Sequence, residues 1–206
     1  MTVTEERPAQ APETALAARK AMIDSQLRTS GVNEPWVLEA MGSLAREDFV
    51  PEEMKPAAYI DRAIPLGDGR MLASPLVHGR LLAEARPTTA DKALLVGDGN
   101  GYLAALLRPM VGSLDAVAPG EAAQPGTSPD GGYDLIVIDG AAEELPAALS
   151  ARLAPEGRIV TGLVLRGVTR IAVGRKTGAQ DVALLPLAEI GIPVLPEFAA
   201  PKRWSF

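Results

Sequence analysis

The chain has no cysteine and a single histidine in 206 residues. Without cysteine there is no disulfide, no thiolate nucleophile and no sulfur-ligated zinc. One histidine cannot build a multi-histidine metal site, so no metal centre is expected. Lys and Arg are scattered and the formal net charge is −6, which withholds the dense basic patch that nucleic-acid binding needs. The Lys202-Arg203 pair is too small to supply one. Long apolar runs are also missing: Ala93 to Val96 and Leu135 to Ile138 are strand-sized and far short of a bilayer span. The opening Met1-Thr2-Val3-Thr4-Glu5-Glu6 lacks the positive flank and apolar run of a signal peptide. A soluble cytoplasmic protein, with neither nucleic acid nor membrane as partner, is the expectation.

What is present is enough for one folded domain. Hydrophobic residues make up 47% and charged residues 22%, the balance of a globular chain rather than a disordered one. Residues 1–13, rich in Pro, Glu and Thr, read as a flexible terminus, and 14–206 as a single domain with a helical part over 14–90. A helix is predicted from Thr14 to Thr29, with Leu16, Met22, Ile23 and Leu27 as its apolar stripe and Gly31 as its stop. Asn33 suits the N-cap of a second helix, with Pro35 in the first turn. Its buried stripe would be Trp36, Val37, Ala40, Met41 and Leu44. From Glu52 to Pro75 the chain reads as irregular, and Pro75 to Arg86 as helix.

A strand-loop-helix unit follows: Lys92 to Val96, then Gly97-Asp98-Gly99-Asn100-Gly101, then Tyr102 to Leu107. Leu114 to Ala118 reads as a second strand. Half of residues 119–132 are Pro or Gly, which excludes a helix or central strand there. Tyr133 to Ile138 is a buried strand ending at Asp139-Gly140. A helix over Leu145 to Leu153 and a strand over Arg158 to Val164 come next. Val168 to Val173, a turn over Gly174 to Gly178, and Val182 to Leu187 suit an antiparallel edge pair. Alternating strands and helices closed by a hairpin predict an α/β fold: a mostly parallel, Rossmann-like sheet with helices on both faces.

Glycines at a strand-to-helix turn let the backbone bend sharply and approach a ligand without a Cβ between. The helix start behind them offers free amides, and nucleotide-type cofactors bind at such strand ends. The spacing is GxGxG rather than GxGxxG, so both a cofactor loop and a purely structural turn stay open. The acid that usually accepts from ribose at the end of the second strand is missing, because that strand ends Val117-Ala118-Pro119. Glu121 lies further on, either reaching inward or solvated.

In order along the chain, Met22, Gln26-Leu27-Arg28, Gly31-Val32, Val37 to Met41, Arg46-Glu47-Asp48-Phe49-Val50-Pro51, Ala58-Tyr59, Pro65-Leu66-Gly67, the glycine loop with Tyr102, Tyr133 to Ile138, Leu145-Pro146, Leu149, Leu153 and Pro155 to Val160 together resemble the protein-L-isoaspartate O-methyltransferase family. The resemblance spans Met22 to Pro196 with a gap in the middle. It implies a methyltransferase sandwich, S-adenosylmethionine as cofactor, and methyl transfer to the free α-carboxylate of isoaspartyl residues in damaged protein. By resemblance, Gly97, Asp98, Gly99, Asn100, Gly101 and Tyr102 are cofactor-binding candidates, joined by Asp139 at the fourth strand's tip.

The departures from the family pattern bear on activity. The family carries a Gly-Gln-Thr-Ile-Ser-Gln-Pro type segment whose hydroxyls orient the substrate carboxylate. Here the matching stretch is Gly69-Arg70-Met71-Leu72-Ala73-Ser74-Pro75. Met71 stands for the threonine and Ala73 for the serine, and neither can donate a hydrogen bond. Ser74 either substitutes after a loop shift or caps the helix that starts at Pro75, the latter preferred. Arg70 either pairs with a substrate carboxylate or is merely exposed. Leu95 replaces an acid in the first strand, Ala118 replaces the ribose-binding acid, and residues 119–132 replace a longer segment holding a helix, a strand and the adenine loop. The sheet is therefore expected to be shortened in the middle and to lack one outer strand.

His78 is read as a packing or hydrogen-bonding residue in preference to a general base, since a carboxylate nucleophile is already ionised at neutral pH. Asp98, Asn100 and Asp139 either bind a cation or cofactor amine or serve as caps and turn formers. Trp36 and Trp204 read as core or contact residues. Three functions are carried forward. The first is a divergent family member, weak or inactive in methyl transfer and serving as a binding or scaffold protein for protein or peptide. The second is an active S-adenosylmethionine-dependent carboxyl methyltransferase. The third is a binder of another small ligand in the old cleft. An uncovered sheet edge would favour a homodimer.

Overall fold

The computed structural model describes residues 11–124, 132–178 and 181–200. Two short strands, β1 (Ile64–Gly67) and β2 (Arg70–Leu72), form an antiparallel hairpin of their own. The main sheet has six strands: β3 (Lys92–Val96), β4 (Ser113–Val117), β5 (Tyr133–Ala142), β6 (Leu153–Leu165), β7 (Val168–Lys176) and β8 (Val182–Glu189). Their order is β4-β3-β5-β6-β7-β8. The first four in that order run parallel, and β6-β7-β8 is antiparallel. This is the α/β sandwich with a terminal antiparallel hairpin that the alternation of elements predicts. No strand among the described residues lies outside β4, so β4 is a sheet edge.

Alternate residues of each central strand feed two separate cores, as strand geometry requires. Ala93, Leu95, Leu135, Val137 and Val160 face α3 (Pro75–Ala85), α4 (Tyr102–Leu107) and the N-terminal helices. Leu94, Val96, Ile136, Ile138 and Ile159 face Leu149 of α6 (Ala147–Ala151) and Phe198. Because both faces are covered, the strands read as continuous apolar runs rather than alternating ones. At the lower end of the sheet, opposite the glycine loop, Arg158 of β6 binds Asp91 and the carbonyls of Ala85 and Arg86. It thereby ties the end of α3 to the sheet.

Several local expectations need correction. Helix α1 (Ala11–Met22) is already helical at Ala11, ahead of the expected Thr14, and continues as a π-helical turn over Ile23–Leu27, then a tight turn that Gly31 ends at φ 83°. Residues 1–10 of the expected flexible terminus lie outside the described residues. Leu16 is 62% exposed and stands off the stripe, whereas Met22 and Leu27 are fully buried. In α2 (Pro35–Ser43) Glu34, not Asn33, is the N-cap; it makes no side-chain capping bond, and its carboxylate accepts from the Asn33 amide. Trp36 is 36% exposed, and Leu38 fills the core in its place. The stretch read as irregular holds the β1-β2 hairpin and a helical turn over Glu52–Ala57. The Pro/Gly-rich segment opens with a one-turn helix, α5 (Pro119–Ala122), which tolerates Pro119 because Pro costs little at a first position; residues 125–131 lie outside the described residues.

β5 runs past Ile138 because the C-terminal stretch grips its end: Ala141 N donates to Pro193 O, and Leu195 N to Ala141 O. The predicted turn at Gly174 is strand, with Gly174 inside β7 opposite Ile159. Trp204 lies outside the described residues. No helix among the described residues is long and apolar enough to cross a membrane.

Candidate functional site

The parallel strands β3, β4 and β5 end together, and the glycine loop fills the space above them. Gly97 N donates to Val117 O of the neighbouring strand (2.9 Å), and Asn100 N donates to the Asp98 side chain (2.9 Å). Arg108 Nη2 donates to Gly99 O (3.0 Å). Among the described residues, positive-φ glycines occur elsewhere and not in this loop, so backbone conformation does not demand Gly here. Space does. A Cβ on Gly97 would sit 3.1 Å from Asp139 Cβ, and one on Gly99 2.9 Å from Ala116 Cβ. The protein itself occupies the volume that each missing side chain leaves.

Behind the loop lies a chain of buried polar groups. Arg46 is fully buried, and among the described residues its guanidinium bonds to two carbonyls and an imidazole rather than to a carboxylate. Its Nε donates to Ala58 O (2.8 Å), one Nη donates to Ala73 O, and the other lies 3.0 Å from His78 Nδ1. The guanidinium carbon stands 4.8 Å from the Tyr102 ring centre, a cation-π contact. His78, also fully buried, places Nε2 3.2 Å from Asp139 Oδ1. Arginine has only donors, so His78 Nδ1 must accept. Nε2 then carries the proton and donates it to Asp139. Burial lowers the His78 pKa below its ordinary value, outweighing the opposite pull of Asp139, so the ring is neutral at pH 7. Burial lowers the Arg46 pKa to about 10, which leaves it a cation.

The network continues outward on the other side. The Tyr59 hydroxyl donates to Glu47 and accepts from Arg19 Nε (2.8 Å) and Arg46 N (3.2 Å). Arg46 and Glu47, through Tyr59 and Arg19, thus tie α1 to the site. Arg46 is not among the site residues that the sequence singles out; His78 is the packing and hydrogen-bonding residue expected, but its bonds lie inside the core rather than at the surface.

The residues singled out by sequence fall as follows. Ala73 is 2% exposed and offers a methyl group, its carbonyl held by Arg46. Met71 is 40% exposed on the hairpin. Ser74 is the N-cap of α3, its hydroxyl accepting from Val77 N at a long 3.5 Å. Arg70, on β2, reaches across to Asp98 of the glycine loop, Nη1 to Oδ2 3.4 Å. Tyr102 is fully buried beneath Arg46, against His78 and Phe49, rather than facing the loop's open side. Ala118 is the N-cap of α5, without a side-chain capping bond, and Glu121 is exposed on that turn. Leu95 is core. Asp139 sits over Gly97, 17% exposed, with no protein partner for Oδ2 among the described residues. No group of three His, Asp or Glu among the described residues is arranged to hold a metal.

A mostly parallel sheet with a glycine-bearing turn after its first central strand and a reversed terminal hairpin defines the Rossmann-like methyltransferase class. Within that class the chain belongs to the protein-L-isoaspartate(D-aspartate) O-methyltransferase family, whose sequence profile it matches over residues 17–124. It is 32% identical over 200 aligned positions to the protein-L-isoaspartate O-methyltransferase of Koribacter versatilis, covering 82% of this chain and 90% of that one. It is 29% identical over 198 positions to protein-L-isoaspartate O-methyltransferase 1 of Rhodopseudomonas palustris, covering 84% and 81%. The fold superposes with TM-score 0.69 and 16% identity on a Plasmodium falciparum protein-L-isoaspartate O-methyltransferase solved with S-adenosyl-L-homocysteine, covering 87% of this chain and 98% of that one.

Proposed function

We propose that this chain is a divergent member of its family, weak or inactive in methyl transfer and serving as a binding or scaffold protein in the cytoplasm. One observation carries the reading. Ala73 is buried, its backbone is fixed by Arg46, and only a methyl group stands at the position matching the family's serine. The hydroxyl of Ser74 stands one position along and its oxygen accepts from Val77 N in the first turn of α3. Arg70 is the other remaining candidate for contact with a substrate carboxylate, and Asp98 already engages it.

S-adenosylmethionine is the cofactor the family suggests. The residues proposed to hold it are Gly97, Asp98, Gly99, Asn100 and Gly101, with Asp139 of β5 beside Gly97 and Tyr102 supporting from below. The fit is uneven. Asp139 offers an acceptor beside Gly97, whereas Ala118 offers none where ribose hydroxyls would be met. When bound, the cofactor supplies an electrophilic methyl group; the chain's own contribution would be to position a carboxylate in line with it, and for that the hydroxyls are missing. We further treat 14–206 as one methyltransferase-like domain and the β4 edge as the site of a homodimer contact, which light scattering at micromolar concentration tests.

The deciding experiment measures methyl ester formation on an isoaspartyl peptide with labelled S-adenosylmethionine. Turnover at or near background is expected. Robust turnover would establish the second reading, an active carboxyl methyltransferase, which the complete glycine loop favours.

A further inference from the structure

Asp139, His78 and Arg46 come from β5 just past its pairing with β3, the first turns of α3 and the turn after α2, yet they form one continuous hydrogen-bonded line. Its two inner members are fully buried and its outer member is partly open. Each link has a fixed direction. Arg46 can only donate, so the imidazole is locked in the Nε2–H tautomer and the proton points at Asp139 Oδ1. That leaves Oδ2 without a protein partner among the described residues. Gly97, lacking a Cβ, gives the carboxylate room above the glycine loop. The loop's other acid is differently placed: Asp98 accepts from Asn100 N through Oδ1 and meets Arg70 through Oδ2, so both its oxygens are engaged.

We propose that Arg46 and His78 are positioning residues that present the free oxygen of Asp139 to the cleft, making it the acceptor for a ligand that brings a cationic amine beside the glycine loop. The proposal rests on the reading above that the cleft binds ligand, and it names what the cleft selects: the ammonium of an amino-acid moiety ahead of a bare nucleoside. A carboxylate held on one side by an N–H donor keeps its other oxygen oriented. A charge-assisted hydrogen bond to it is stronger than a neutral one.

The test compares S-adenosylhomocysteine with 5′-methylthioadenosine, which carries the same nucleoside thioether without the amino-acid group. Calorimetric titration of the full chain is expected to show the former bound about 10-fold or more tightly, the effect of one charge-assisted contact. Asp139→Asn should abolish that preference by weakening S-adenosylhomocysteine alone. His78→Leu should do the same. His78→Gln should preserve most of the preference, because its carboxamide offers one acceptor to Arg46 and one donor to Asp139. The lone histidine also gives an unambiguous ¹⁵N signature, expected as protonated Nε2 and unprotonated Nδ1.

Equal affinity for the two probes, no binding of either at millimolar concentration, a preference that survives Asp139→Asn, or the reversed tautomer would each overturn the proposal. Should His78→Leu fail to fold, Asp139→Asn and the ¹⁵N spectrum still decide. Failure here is distinct from failure of the functional reading, since turnover on isoaspartyl peptide is measured separately.

Discussion

Arg158 closes a two-pronged contact on Asp91: Nη1 lies 3.0 Å from Oδ1 and Nη2 2.8 Å from Oδ2. The same guanidinium donates to the carbonyls of Ala85 and Arg86, where α3 ends in a left-handed residue. Asp91 in turn accepts from Thr88 N. Fork-shaped pairing of this kind gives direction as well as energy. Arg158 holds the Asp91 pKa below the usual carboxylate range.

Replacing Arg158 with Met should therefore destabilise the fold by about 2–4 kcal/mol, near the loss for removing one partner of a largely buried pair. Urea unfolding followed by circular dichroism would read this as a lower midpoint with unchanged slope. A change below about 0.5 kcal/mol, the size of a surface effect, would show that the pair is not holding α3 to the sheet.

The second prediction concerns pH. Burial depresses the His78 pKa in the folded state below 6.5, so the unfolded chain takes up a proton first as pH falls. The contribution of the neutral ring is fully present above about pH 6.5 and is lost as pH falls through the folded value, with a slope of at most about 1.4 kcal/mol per pH unit. Stability should be level between pH 7 and 8 and decline below 6.5. His78→Gln should flatten that decline. Equal slopes in the two proteins would show that the ring does not titrate as its burial requires.

How much of this could be read beforehand differs by element. β3 and α4 occur at the residues where periodicity places them, because a strand buried on both faces and a short apolar helix each leave a local signature. The hairpin Ile64–Leu72 left none: Pro65, Gly67 and Gly69 look like loop, and the pairing of Ile64 with Leu72 is a tertiary fact. Trp36 misled for a related reason, since a helical stripe predicts which residues share a face but not where the neighbouring helix stops covering it. The Arg46-His78-Asp139 line was invisible because its members lie far apart in sequence and a lone arginine in a polar stretch reads as surface. Its only trace was the specificity of the Arg46 to Pro51 resemblance.

The third prediction addresses the glycine loop. Gly99→Ala would bring two methyl groups to 2.9 Å, and neither can rotate away. Loop and β4 must part, at a cost of about 1–3 kcal/mol. Thermal melting should show the loss without any ligand present. An unchanged melting temperature would mean that Gly99 is kept for ligand approach alone.

The fourth tests the proposed weakness in methyl transfer. Met71→Thr with Ala73→Ser places two hydroxyls in the segment before α3. Because a single well-placed donor in a reaction site can change rates by about 100-fold or more, the double variant should raise methyl ester formation on an isoaspartyl peptide at least about 10-fold over the parent. No increase would show that the hydroxyls at these two positions do not limit methyl transfer.

One cation clasps both roots of the segment between Ala58 and Ala73, whose carbonyls Arg46 holds from inside the core. The hairpin is thus hung from a single internal peg. Its outer residues can be exchanged while the peg stays seated, so the place of the arm does not depend on which side chains it carries.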